Sequence, residues 1–86
     1  MSITLRIYTP EKEYKPQKAD KVIVPVSQGN FTLIHGHAPR SQILTDGDVQ
    51  LLDENNKAFK KWHISGGMAE IAEDVCQIAV EEIEEI

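Results

Sequence analysis

The chain predicts an all-β domain, a two-sheet sandwich or flattened barrel, and three observations carry that expectation. Apolar residues recur at every second position in run after run, turn-forming residues separate the runs, and no segment shows a convincing helical stripe. With 86 residues there is room for one domain. A chain of this size buries only about 60% of its unfolded surface, so most of its thin core must be structural.

Each run follows from its side chains. In "ITLRIY", Ile3, Leu5 and Ile7 alternate with Thr4 and Arg6, the pattern of a half-buried strand. "KVIVPV" is a short β-branched run closed by Pro25. In "NFTLIH", Phe31 and Leu33 face one way and Thr32 and Ile34 the other. "DVQLLDE" runs into "NN", and asparagine tolerates the positive φ that a tight hairpin demands. "KAFKKWHIS" places Ala58, Trp62 and Ile64 on one parity and Phe59 on the other. "MAEIA" and "VCQIAVE" form a last hairpin around Glu73 and Asp74. Turns are expected at "TPE", "SQGN", "GHAP", "TDGD", "ENN" and "SGG". The sandwich is assigned to residues 1–81, with 82–86 an acidic tail too short to complete a useful helix.

Composition narrows the function classes. The net charge of −5 divides unevenly, +3 over residues 1–43 and −8 over residues 44–86. An acidic domain repels phosphate backbones, so nucleic acid is not an expected ligand. The uneven split suits a piece wedged between protein partners, although solvated polar faces give the same numbers. The single cysteine, Cys76, excludes an internal disulfide and fits a reducing compartment. "MSITLRIYTPEK" has neither an apolar signal core nor an Arg/Ser-rich transit helix, and no apolar run could span a bilayer. Any membrane link is expected to come through a partner.

The search for chemistry is mostly a search that closes doors. His35 and His37, two apart, could grip a metal ion with a third donor in His63 or an acid such as Asp46 or Asp48. Gly36 and Pro39 bend this segment, no Cys pair supports it, and an ordinary turn is preferred to a metal site. Ser41, Ser65 and Cys76 lie in no nucleophile elbow, and "ISGGM" is not G-x-S-x-G. Gly66 and Gly67 are assigned to a glycine-dependent hairpin or bulge, and Cys76 to the core as a small hydrophobe. "SQGN" is no phosphate cradle, and the paired glutamates 81–82 and 84–85 belong to a solvated chain end. Trp62 is core, with interface anchor as the sharper option. A binding or structural module without catalytic, metal-binding or cofactor-binding residues and without a small-molecule substrate remains.

The order of the turns then becomes informative. "TPEKEY", "ADKVIVP", a glycine loop leading into "GHAP", and "HISGGMAEIAEDVCQIAVE" together resemble the epsilon subunit of the F-type ATP synthase, from about Ile3 to Glu81. "GHAP" and "SGG", in that order within an all-β pattern, form the specific pair. The resemblance implies a ten-stranded β-sandwich that binds the foot of the gamma shaft and fastens it to the c-ring. Such a subunit couples ion translocation to ATP synthesis or hydrolysis and catalyses nothing itself. It sits at the cytoplasmic face of a bacterial energy-transducing membrane without inserting.

Carried over by position, Ser27, Gln28, Gly29 and Asn30 match the family's glycine loop on the c-ring side, and His37 and Gln42 match positions on the gamma side. Gly36, Pro39, Gly66 and Gly67 match its structural turns. Many members read "GILPGHAP" where this chain has "TLIHGHAP", with Thr32 for a glycine and His35 for the proline. Ile86 falls before the family's C-terminal helical hairpin, so inhibition and ATP binding by that hairpin are not carried over. A β-sandwich adaptor unrelated to ATP synthesis is the alternative.

Overall fold

The computed structural model describes residues 2–86, and among them ten strands and no helix are found. In chain order they are β1 Ile3–Tyr8, β2 Gln17–Ala19, β3 Lys21–Val26, β4 Gly29–Ile34, β5 Arg40–Leu44, β6 Gly47–Leu52, β7 Ala58–Ile64, β8 Gly67–Ala72, β9 Val75–Val80 and β10 Ile83–Glu85. They form two five-stranded sheets, β2-β1-β9-β8-β5 and β10-β7-β6-β3-β4. Every pairing is antiparallel except that of β1 with β9.

Alternation builds the core. Ile3, Leu5, Ile7, Ala69, Ile71, Cys76 and Ile78 point inward from the first sheet, and Val22, Val24, Leu33, Val49, Leu51, Trp62 and Ile64 from the second. Each fully buried Val, Leu or Ile contributes about 1.5–3 kcal/mol against exposure. No polar or charged side chain among the described residues is buried, so the interior carries no uncompensated polarity. Burial pushes the Cys76 thiol up to about 12, which leaves it protonated and unreactive at neutral pH.

Several details differ from the sequence reading. Ala58 is exposed although Trp62 and Ile64 are buried. The β6–β7 register slips between Leu51 and Leu52, and the resulting bulge breaks the parity that Ala58 would have shared. Gly66 and Gly67 lie at no hairpin. Ser65 and Gly66 carry the chain from β7 in one sheet to Gly67, the first residue of β8, in the other, β7 being already flanked by β6 and β10. Residues 82–86 are exposed or half-exposed, yet Ile83–Glu85 pair with β7 as an edge strand, Ile83 resting on the core.

The hairpins obey local rules. Glu73 and Asp74 both take positive φ, 52° and 62°, as a two-residue type I′ turn between β8 and β9 requires. Asp53 Oδ1 accepts from the Asn55 and Lys57 amides at 2.8 and 3.0 Å, and Asn56 takes φ 64° to close the β6–β7 turn.

Candidate functional site

The loop Ser27–Asn30 is the tip of the β3–β4 hairpin. Val26 pairs with Gly29, so Ser27 and Gln28 alone make the turn, and Gly29 absorbs a φ of +122°. All four residues are exposed. Pro25 precedes them without an N–H to donate, and the β3–β6 ladder stops at Ile23. The Pro25 carbonyl still accepts from the Thr45 amide at 3.0 Å, and beyond it the four tip residues are paired only within their own hairpin.

His35, Gly36, His37, Ala38 and Pro39 make the crossover from β4 to β5, between the sheets. Gly36 takes φ +77°, and its amide donates to Asp74 Oδ1 at 2.6 Å, which ties the corner to the β8–β9 turn. His37 is half-buried. Its Nδ1–H donates to the Ala38 carbonyl at 2.8 Å, and its ring stands edge-on to Phe31, 5.5 Å between centroids. The Arg40 guanidinium lies over the same Phe31 ring at 4.7 Å and donates to Gln42 Oε1 at 3.0 Å. Phe31 follows Asn30 directly, so one aromatic ring links the hairpin tip to His37 and, through Arg40, to Gln42. His35 is exposed and makes no side-chain hydrogen bond.

Register reveals a surface that single-strand patterns do not. Across the outer face of the first sheet, Tyr8 of β1 pairs with Ala79 of β9, Ala79 with Met68 of β8, and Met68 with Ile43 of β5. Ile43 is 67% exposed and Met68 44%. The neighbouring row is polar, Arg6–Gln77–Glu70–Ser41. Tyr8 is held in its row by Arg6, whose Nε donates to the Tyr8 hydroxyl at 3.1 Å and whose Nη2 pairs with Glu13 at 3.2 Å. An apolar stripe bordered by a polar one on a rigid sheet has the composition that protein-docking surfaces use. Gln42 sits on β5 opposite buried Ala69, at the sandwich edge, while its neighbour Ile43 presents outward.

The third histidine lies elsewhere. His63 of β7 has Nδ1 2.8 Å from Asp48 Oδ1 and Nε2 2.9 Å from Asp46 Oδ1. The hydrogen bond to Asp48, then the charges of Asp46 and Asp48, hold its pKa above the ordinary histidine value. Among the described residues no three His, Cys, Asp or Glu side chains converge in a way that could hold a metal. Ser41 lies exposed on β5, Ser65 in the crossover before β8, and Cys76 is fully buried on β9, with β8 between β5 and β9.

Comparison with known proteins places this architecture. Residues 2–86 match the family described as ATP synthase, Delta/Epsilon chain, beta-sandwich domain. The ATP synthase epsilon chain of Granulibacter bethesdensis is 29% identical over 79 residues, covering 92% of this chain and 58% of that protein. The ATP synthase epsilon chain of a Nostoc species is 31% identical over 80 residues, covering 93% and 58%. A chain in the structure of the Euglena gracilis mitochondrial ATP synthase has the same fold, with a TM-score of 0.84 at 22% identity over 98% of this chain and 53% of that one. One in the central stalk and c-ring of the Tetrahymena thermophila enzyme gives 0.75 at 15% identity, covering 98% and 66%. The present chain thus spans a little under three-fifths of the length of these two curated relatives. On the match over residues 2–86, the chain belongs to the ATP synthase delta/epsilon chain β-sandwich domain family.

Proposed function

We propose that this chain is a non-catalytic rotor component of an F-type ATP synthase, joining the gamma shaft to the c-ring and so coupling ion translocation to ATP synthesis or hydrolysis. The observation that carries the reading is family membership across residues 2–86. The geometry supports it with two separate contact surfaces on one stiff body. The apolar row Tyr8–Ala79–Met68–Ile43, beside the edge that holds His37 and Gln42, suits the packed surface of the shaft. The polar tip Ser27–Asn30 suits the polar loops of the ring. Close-packed interiors deform little, so a load entering at one surface reaches the other. Attachment to the cytoplasmic side of the membrane is then indirect, through the assembled complex.

Binding to purified gamma and c-ring tests this reading. Ile43→Asp and Met68→Asp each remove about 1.5–3 kcal/mol of apolar contact, so affinity for gamma is expected to fall about 10- to 100-fold with the fold intact. Gln28→Ala and Asn30→Ala are expected to weaken the ring contact and leave gamma binding unchanged. A well-folded domain that associates with neither partner would refute the proposal.

A further inference from the structure

Three sheet-to-sheet crossovers meet at one end of the sandwich, residues 45–46 from β5 to β6, 65–66 from β7 to β8, and 81–82 from β9 to β10. They touch. The Ser65 amide donates to the Glu82 carbonyl at 3.2 Å, and a Cβ placed on Gly66 would stand 3.2 Å from the Leu44 carbonyl oxygen. His63 is the last outward-facing residue of β7 before this corner, and the rotor reading gives it no part.

Its geometry is informative. Nδ1 lies 2.8 Å from a carboxylate oxygen of Asp48, and Nε2 lies 2.9 Å from one of Asp46. A neutral imidazole has one N–H and one lone pair, so it can donate to only one of these carboxylates and must turn the lone pair towards the other. The Asp48 contact is a hydrogen bond and the Asp46 contact a close ion-pair approach, and the imidazolium is the form that favours both at once. The surroundings agree. Glu84 is the cross-strand partner of His63 on β10, and Glu82 lines the same shallow recess with Asp46, Ser65 and Ile83. Asp46 and Asp48 contact the ring, Glu84 lies on the neighbouring strand and Glu82 in the recess, and the one basic residue sharing its strand face is Lys61.

We propose that His63 is a proton-operated latch: as the imidazolium it ties Asp46, and with it the β5–β6 crossover, to β7, and on losing its proton it releases that crossover. Asp48 belongs to the strand paired with β7, whereas Asp46 lies between strands, next to Thr45, whose amide donates to the Pro25 carbonyl at 3.0 Å. Ile43 and Leu44 end the strand that feeds this crossover, so the latch sets the end of β5 beside the docking row. The groups are exposed, where ion pairs contribute little to global stability, so the effect belongs to the corner and not to the whole fold. Histidine is the side chain suited to such a role near neutral pH. The latch needs no rotor partner and stands or falls apart from the function proposed above.

Nuclear magnetic resonance on the full chain, titrated from about pH 5 to pH 9, tests it. The His63 ring is expected to titrate above the ordinary histidine value of 6.5, and the amides of Thr45, Asp46, Gly47 and Ser65 to shift with the same midpoint. In Asp46→Asn the ring midpoint is expected to drop and the crossover amides to cease following it. In His63→Gln the shared transition is expected to vanish, while the rest of the spectrum reports an intact fold. A ring midpoint at or below 6.5, crossover amides that ignore the ring, or an Asp46→Asn protein that titrates like the parent would overturn the latch.

Discussion

Substituting alanine for Gly67 is expected to be the most damaging single-methyl change in the domain. Gly67 is paired on both sides, to Leu44 of β5 and to Val80 of β9, and its φ is +153°. A Cβ there would sit 2.1 Å from the Ala79 carbonyl oxygen and 2.9 Å from Val80 Cγ1. The first neighbour is backbone held in two ladders and cannot rotate away. Backbone strain costs about 1–3 kcal/mol and forced overlap in a packed site about 1–3 kcal/mol more, so a loss of about 2–6 kcal/mol is expected. A domain of this length has about 4–13 kcal/mol in all, so the variant sits near the edge of folding. Gly29→Ala is the matched control, since its φ is +122° but nothing lies within 4 Å of the added methyl. It should show the strain alone, about 1–3 kcal/mol. Urea unfolding followed by Trp62 fluorescence gives both values. Equal midpoints for the two variants would show that the close approach of β8 to β9 at Gly67 is not what the glycine serves.

Other expectations are simpler. Glu73→Asn should stabilise by about 0.5–1 kcal/mol and raise the melting temperature a few degrees, because asparagine accepts the φ of 52° better than glutamate does. Asp53→Ala should cost about 1–2 kcal/mol in urea unfolding by stripping the Asn55 and Lys57 amides of their shared acceptor. Since the folded-state pKa of His63 is raised, chiefly by Asp48, its contribution is complete below the unfolded value of about 6.5 and fades as pH rises through the folded value. Because these groups are exposed, the melting-temperature gap between the parent and His63→Ala should be small, at most about a degree or two, and should shrink as pH rises across that window. A gap that widened instead would reverse the sign of the linkage.

Most of the fold was legible because seven of the ten strands announce themselves by alternation, by a β-branched run or by the turn that ends them. Trp62 and Ile64 inward with Phe59 outward, and the Glu73–Asp74 hairpin, follow from spacing and turn chemistry alone. The strands that escaped notice, β2, β5 and β10, are all sheet edges. An edge strand this short buries little: β2 contributes Ala19 and β5 contributes Leu44. One apolar side chain makes no period. Gly66 and Gly67 were recognisable as special backbone, yet whether a glycine pair turns a hairpin or changes sheets depends on which neighbours its strands have already taken. The same limit applied to the surfaces. Ile43, Met68, Ala79 and Tyr8 are scattered along the chain, and only register brings them into one row. Likewise His63 and Asp48 meet because Asp48 is its cross-strand partner, fifteen residues away in sequence.

The parallel seam between β1 and β9 opposes birth order to pairing order. Of the ten strands described, β1 is made eight strands before the partner that satisfies its inner edge, with Thr4 and Val75 as partners. At about 5–20 residues per second, synthesis of the chain leaves Ile3, Leu5 and Ile7 without their lasting neighbour for several seconds. Loop closure across most of the sequence also makes this a slow folder for its size. Nascent chains stopped before β9 should therefore be digested readily by protease, and those released after it should turn resistant in a single step.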